Sequence, residues 1–254
     1  MKAIHGLMLL AGTLALSGCE LENDKKKSLS ENEIKKYISA SNINPSYVGM
    51  APRQNTRTVR FDTTSQIPIY YVVNGGGSVP KEILSGVQNL ENLLGNVFGD
   101  FQVIDDDLSM YRDESKPGNQ PDYSHSIEDF YNRHGIDYGL IFSVGTAFWD
   151  PAMESKPGSM CANAGQAPYN GGLYVRYDEV SGYYSDTHKA WVNLGNGSCS
   201  WDTDIVKHEI AHNLGLFNHF SPYFGKWSQG AEQVLRNLYS NPANLSPDDM
   251  VITR

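Results

Sequence analysis

Positive charge is in short supply. The 254 residues carry 20 Lys and Arg against 29 Asp and Glu, a net charge of −9. Nucleic-acid binding rests on clustered Lys and Arg that neutralise phosphates, so this balance argues against such a partner and reads as plain solubility. A long apolar run is also missing. The best candidate, Ile4 to Leu16, falls short of the roughly 20 apolar residues that a bilayer-spanning helix needs. Cysteine is sparse, represented only by Cys19, Cys161 and Cys199, and no internal repeat is apparent. With 40% hydrophobic and 19% charged residues the chain is still globular in composition, and it is long enough for one well-cored domain plus appendages.

At the N-terminus, Lys2 followed by the short apolar core has the form of a signal peptide over residues 1–18. The tetrad Leu16-Ser17-Gly18-Cys19 resembles the lipobox of bacterial lipoproteins. That resemblance implies a lipid-modified Cys19 carrying several acyl chains, palmitate among them. At about 0.8 kcal/mol per buried methylene, more than one chain anchors stably to a membrane. Glu20 in place of Asp resembles cargo sorted to the outer membrane, so the expected location is the bacterial cell envelope, periplasmic or surface side. With Cys19 lipidated, Cys161 and Cys199 are an even pair in an oxidising compartment. They read as a disulfide, with two buried free thiols as the alternative.

Residues 19–57 have the composition of a tether, charged at Asp24 to Lys27 and broken at Asn42, Asn44, Pro45 and Pro52. Within it, Ser30 and Glu33 offer a capping box for a short polar helix. The folded domain is expected over residues 58–254. Gln66 to Val73 reads as a strand, Lys81 to Phe98 as an amphipathic helix, and Phe101 to Ile104 as a strand. Asp105-Asp106-Asp107 lacks the spacing of a calcium loop and reads as a solvated turn. Residues 111–125 read as a polar loop, Gly139 to Val144 as a buried strand, and residues 145–172 as a long excursion. Leu173 to Tyr177 alternates like an edge strand, and Ala190 to Leu194 is another strand. Asp202 or Thr203 caps a helix through the histidines, and a last helix covers Ala231 to Tyr239.

Three of the chain's seven histidines fall between Lys207 and His219. His208 and His212 are four apart, so on a helix their imidazoles address one point. Neutral imidazole suits zinc, and catalytic zinc keeps three protein ligands and one open position. Glu209 flanks that position and reads as the general base toward a water whose pKa zinc lowers from 15.7 to roughly 7. Gly215 ends the helix and reverses the chain, which returns Asn218 and His219 toward the pair. Histidine is the better ligand, so His219 is assigned to the metal and Asn218 to a supporting place.

The sequence His208-Glu209-x-x-His212-x-x-Gly215 resembles the active-site helix of the metzincin zinc endopeptidases, over roughly residues 58–225. The resemblance implies an α+β zincin. Its mixed, mostly parallel twisted sheet would pack on the active-site helix, with an antiparallel edge strand, here Leu173 to Tyr177, that pairs with extended substrate, and a small C-terminal subdomain. Two departures stand out. The family's third histidine falls where this chain has Asn218, and His219 comes one residue later. The family's methionine turn has only Met250 as a counterpart, four residues from Arg254, with Tyr223 as a stand-in for oxyanion support. Glu232, twenty residues after His212, resembles the glutamate ligand of the thermolysin-like group and is the rival third ligand.

The expected function is therefore a lipid-anchored zinc metalloendopeptidase acting on protein or peptide substrates. The alternatives are a non-catalytic adhesin using the 145–172 excursion and a metal-dependent hydrolase of a non-peptide envelope substrate. The tether offers no cysteine besides Cys19 that could block the zinc.

Overall fold

The computed structural model of the chain describes residues 28–43, 56–112, 125–145, 162–165, 175–195, 200–224 and 227–254. The leader, Cys19, Cys161 and Cys199 lie outside these residues, as does most of the 145–172 excursion.

The strands follow from β-branched and aromatic runs. β1 (Ile67–Val73) has β2 (Phe98–Asp105) on one side and β5 (Gly139–Val144) on the other, both parallel to it. β7 (Lys189–Leu194) continues the parallel set beside β5, and β6 (Ala162–Gly165) closes the edge antiparallel to β7. The order is β2-β1-β5-β7-β6. A separate ladder joins two-residue strands β3 (Tyr111–Arg112) and β4 (His125–Ser126).

Strand side chains alternate between faces, and the core divides accordingly. Ile67, Ile69, Tyr71, Leu140, Phe142, Ala190, Val192 and Leu194 enter one apolar cluster. Their neighbours Tyr70, Val72, Ile141 and Trp191 enter another. Four helices supply the first: α1 (Glu31–Ile38), α2 (Lys81–Leu94), α4 (Thr203–Asn213) and α5 (Gln229–Ser240). The second is covered by α3 (Ile127–His134), where Trp191 Nε1 donates to the Tyr131 hydroxyl at 2.7 Å. Among the described residues the protein is thus α+β, a mostly parallel five-stranded sheet with five helices on its two faces.

α4 is held against the sheet side by burial of Val206, Ile210, Ala211 and Leu214. Asp202 caps it by accepting from the Ile205 N–H at 2.9 Å. α2 crosses it closely at Gly86, where an added Cβ would lie 2.6 Å from a Val206 methyl.

Expectations change at several places. The helix expected from Lys81 to Phe98 ends at Leu94, and Phe98 opens β2. The 19–57 tether does not hold for residues 28–43. α1 has the Ser30–Glu33 capping box, and Leu29, Ile34 and Ile38 on its apolar side sink into the core beside α5. The edge strand is Ala162–Gly165 rather than Leu173 to Tyr177. Of the latter's described residues only Tyr177 bridges, to Tyr184, because Asp178 folds the chain back by accepting from the Val180 and Ser181 N–H groups. The Asp105–Asp107 turn is not simply solvated, since Asp106 accepts from Tyr111 and contacts His134, each at 2.6 Å. The residues after α4 share the main core through Val234, Leu235, Leu238 and Met250 and do not build a separate small subdomain.

Candidate metal centre

α4 presents His208 and His212 one turn apart, both buried. The helix ends at Leu214, and Gly215 takes φ +115, a conformation side chains other than glycine's rarely adopt. The chain then turns back and delivers His219, which opens to solvent. The three Nε2 atoms form a near-equilateral triangle: 3.1 Å from His208 to His212, 3.0 Å from His208 to His219, and 3.2 Å from His212 to His219.

This triangle fits a metal ion. Zinc with nitrogens at about 2.0–2.1 Å and tetrahedral angles needs them roughly 3.3–3.4 Å apart, a few tenths of an ångström from the spacing seen. The tautomer also fits. His212 Nδ1 donates to the Leu216 carbonyl at 2.6 Å, so its proton sits there and the Nε2 lone pair is directed into the triangle.

Burial keeps the imidazoles neutral, which is the ligating form. Loss of solvent pushes His208 down to about 2, helped by the neighbouring His212 and His219, and His212 down to about 3, helped by His219. His219 is lowered by burial as well. Glu209, next to His208 on the helix, is pushed up to about 8 by burial. A bound cation would oppose that rise by favouring the carboxylate.

Beneath the ligands lies a ring that the sequence marked for another purpose. Tyr223 is fully buried, with its ring centroid 4.3 Å from that of His208, 5.3 Å from His212 and 5.6 Å from His219. Its hydroxyl donates to the His208 backbone carbonyl at 2.7 Å. The residue therefore forms a floor, with its polar end engaged by the helix. Met250 is buried too, but it sits in the core after the turn Pro247–Asp249, whose Asp248 carbonyl accepts from Lys35 of α1.

Asn218 donates through Nδ2 to the Ala40 carbonyl at 3.0 Å. Glu232, in the first turn of α5, accepts from Trp227 Nε1 at 2.8 Å and is not in the three-histidine group. Sequence reading missed the supports. Asn213 donates to the Trp191 carbonyl at 2.7 Å, fastening the helix to β7. Asn42 donates to the Gly215 carbonyl at 2.9 Å across 173 positions, a separation no local signal bridges. Phe224 is 63% exposed, its ring 5.6 Å from that of His219.

The fold and site define an α+β protein whose His208, His212 and His219 can hold a metal ion. No family model, curated protein or solved structure matches the chain. The functional reading accordingly rests on the site's own geometry.

Proposed function

We propose that the protein is a zinc-dependent endopeptidase, displayed on the bacterial envelope through a lipid on Cys19. The observation that carries the reading is the Nε2 triangle of His208, His212 and His219, with a glutamate one residue after the first ligand. All-imidazole coordination with one side open to solvent suits catalytic zinc better than a closed structural site. Zinc held there would supply a Lewis acid that polarises a scissile carbonyl and makes water acidic enough to attack near neutral pH.

The chain's own groups do the rest. His208, His212 and His219 hold the ion, the first two from a rigid helix and the third from the solvent side. Glu209 takes the proton of the attacking water and hands it to the leaving amine, restoring its carboxylate at the end of each turnover. Tyr223 packs under the imidazoles and keeps their planes fixed. The antiparallel edge strand β6 runs beside β7, where an extended peptide can add by backbone hydrogen bonds.

The test is Glu209→Ala. The variant should retain zinc and lose roughly 10²–10⁴-fold in peptidase rate. Full activity in a zinc-loaded Glu209→Ala protein would remove the mechanism. Turnover of murein fragments in place of peptides would remove the substrate class.

A further inference from the structure

Two of the three ligands stand on a helix, but His219 depends on a turn, and that turn is held from far away in the chain. Three consecutive residues just after α1 bond to it. Asn42 Nδ2 donates to the Gly215 carbonyl at 2.9 Å. The Ser41 carbonyl accepts from the Phe217 N–H at 3.0 Å, and the Ala40 carbonyl accepts from Asn218 Nδ2 at 3.0 Å. Three of the six residues between His212 and His219 are thus pinned by one segment.

Asn42 is the centre of this arrangement. It is fully buried, and besides Gly215 it donates to the Val59 carbonyl at 2.8 Å and accepts from the Val59 N–H at 2.9 Å. It therefore ties the turn to the start of the folded domain. The contact is close: a Cβ on Gly215 would lie 2.7 Å from Asn42 Nδ2. Glycine at 215 thus serves both the positive φ and the approach of the asparagine.

We propose that the segment Ala40–Asn42 is a positioning element of the metal centre, fixing the turn that carries His219 and so setting how tightly the three histidines retain their ion. The inference rests on the metal-site reading but not on peptidase activity. A ligand on an unsupported turn must be ordered at the moment of binding, whereas a braced one is already in place. Partners that orient ligands in this way are typically worth 10–100-fold in metal affinity. Coupling of this kind is reciprocal, so metal binding must also tighten the segment onto the turn.

The experiment measures zinc affinity by chelator competition, and the absorption of the cobalt-substituted protein, on the full chain and two variants. Asn241→Ala is the control, because Asn241 is a comparably buried asparagine whose side chain accepts from the Val251 N–H and otherwise bonds, among its described partners, to α5 and the tail, while its backbone carbonyl, which the substitution leaves in place, accepts from Arg60. Asn42→Ala should lose roughly 10–100-fold in zinc affinity and shift the cobalt spectrum. Asn241→Ala should change neither. Wild-type affinity and spectrum in Asn42→Ala would overturn the proposal, and so would equal losses in both variants.

A second measurement needs no variant. In the wild-type chain, zinc should slow hydrogen exchange at the Val59 N–H, held by Asn42, more than at the Val251 N–H, held by Asn241. Equal slowing at both would overturn the proposal. A wild-type chain that bound no zinc would instead sink the metal-site reading and this inference with it, an outcome distinct from normal wild-type binding with an unaffected Asn42→Ala.

Discussion

Tyr223 and His208 are joined twice, by a 2.7 Å hydrogen bond from the tyrosine hydroxyl to the histidine's carbonyl and by rings whose centroids lie 4.3 Å apart. The ring and the hydroxyl can be separated by substitution. Tyr223→Phe keeps the floor and should cost about 1 kcal/mol in urea unfolding of the metal-free protein, the net worth of one hydrogen bond. Tyr223→Ala empties a fully buried site and should cost about 3–5 kcal/mol while weakening zinc retention. Loss of activity in Tyr223→Phe with zinc and stability intact would instead make the hydroxyl a catalytic donor.

The identity of the third ligand is decided by metal content. Wild type should hold one zinc per chain after dialysis, and His219→Ala should hold far less. Glu232→Ala should keep the full complement, since Glu232 is engaged by Trp227. Asn218→Ala should bind to the same stoichiometry with weaker affinity, because its side-chain amide holds the turn through the Ala40 carbonyl. Full zinc retention in His219→Ala would break the three-histidine assignment.

What was legible in the sequence is what depends on neighbours along the chain. The strand at Ile67–Val73, the helix from Lys81 and the metal helix after Asp202 all follow from local periodicity and capping, and the structure has them. His208 and His212 were legible for the same reason, since a spacing of four fixes their direction. The displaced His219 was legible only in part, through the glycine that forces a turn. Asn42 was not legible, since it reads as a linker breaker and acts through folding that joins it to Gly215. α3 was missed although Ser126 and Asp129 form a capping box, because its few apolar residues matter only once Trp191 is there to pack on. Residues 28–43 misled because charge hides Ile34 and Ile38, whose burial depends on α5.

Asp106 supplies a pH dependence away from the metal. Burial works to raise its pKa, but hydrogen bonds from His134, Tyr111 and the Asp107 N–H outweigh it and hold the carboxyl below its ordinary 3.8. A depressed folded value means that the unfolded chain takes up the proton first as pH falls. The stabilisation is therefore complete above about 3.8 and is lost as pH drops through the lower folded value. Asp106→Asn should be less stable than wild type at pH 7, and the difference should shrink steadily below that ordinary value. A difference that stayed constant from pH 7 to pH 2 in denaturant melts would show that the charge on Asp106 is not what holds α3 to the turn.

Phe224 gives the prediction closest to substrate. It is 63% exposed while its ring lies 5.6 Å from that of His219, so it stands beside the solvent-facing ligand without being absorbed into the core. An apolar side chain of a peptide held at the metal would cover it. A ring contact of this kind is worth about 0.5–1.5 kcal/mol, which corresponds to roughly a 2- to 12-fold change in binding at 1.4 kcal/mol per decade. Phe224→Ala should therefore raise KM for peptides with an apolar residue flanking the cleaved bond by about that factor, with kcat and zinc content little changed. Peptides that carry glycine at that place lack the contact, and their KM should not move. A uniform rise across both peptide sets would mean that the ring supports His219 instead of touching substrate, and zinc affinity would then fall in parallel.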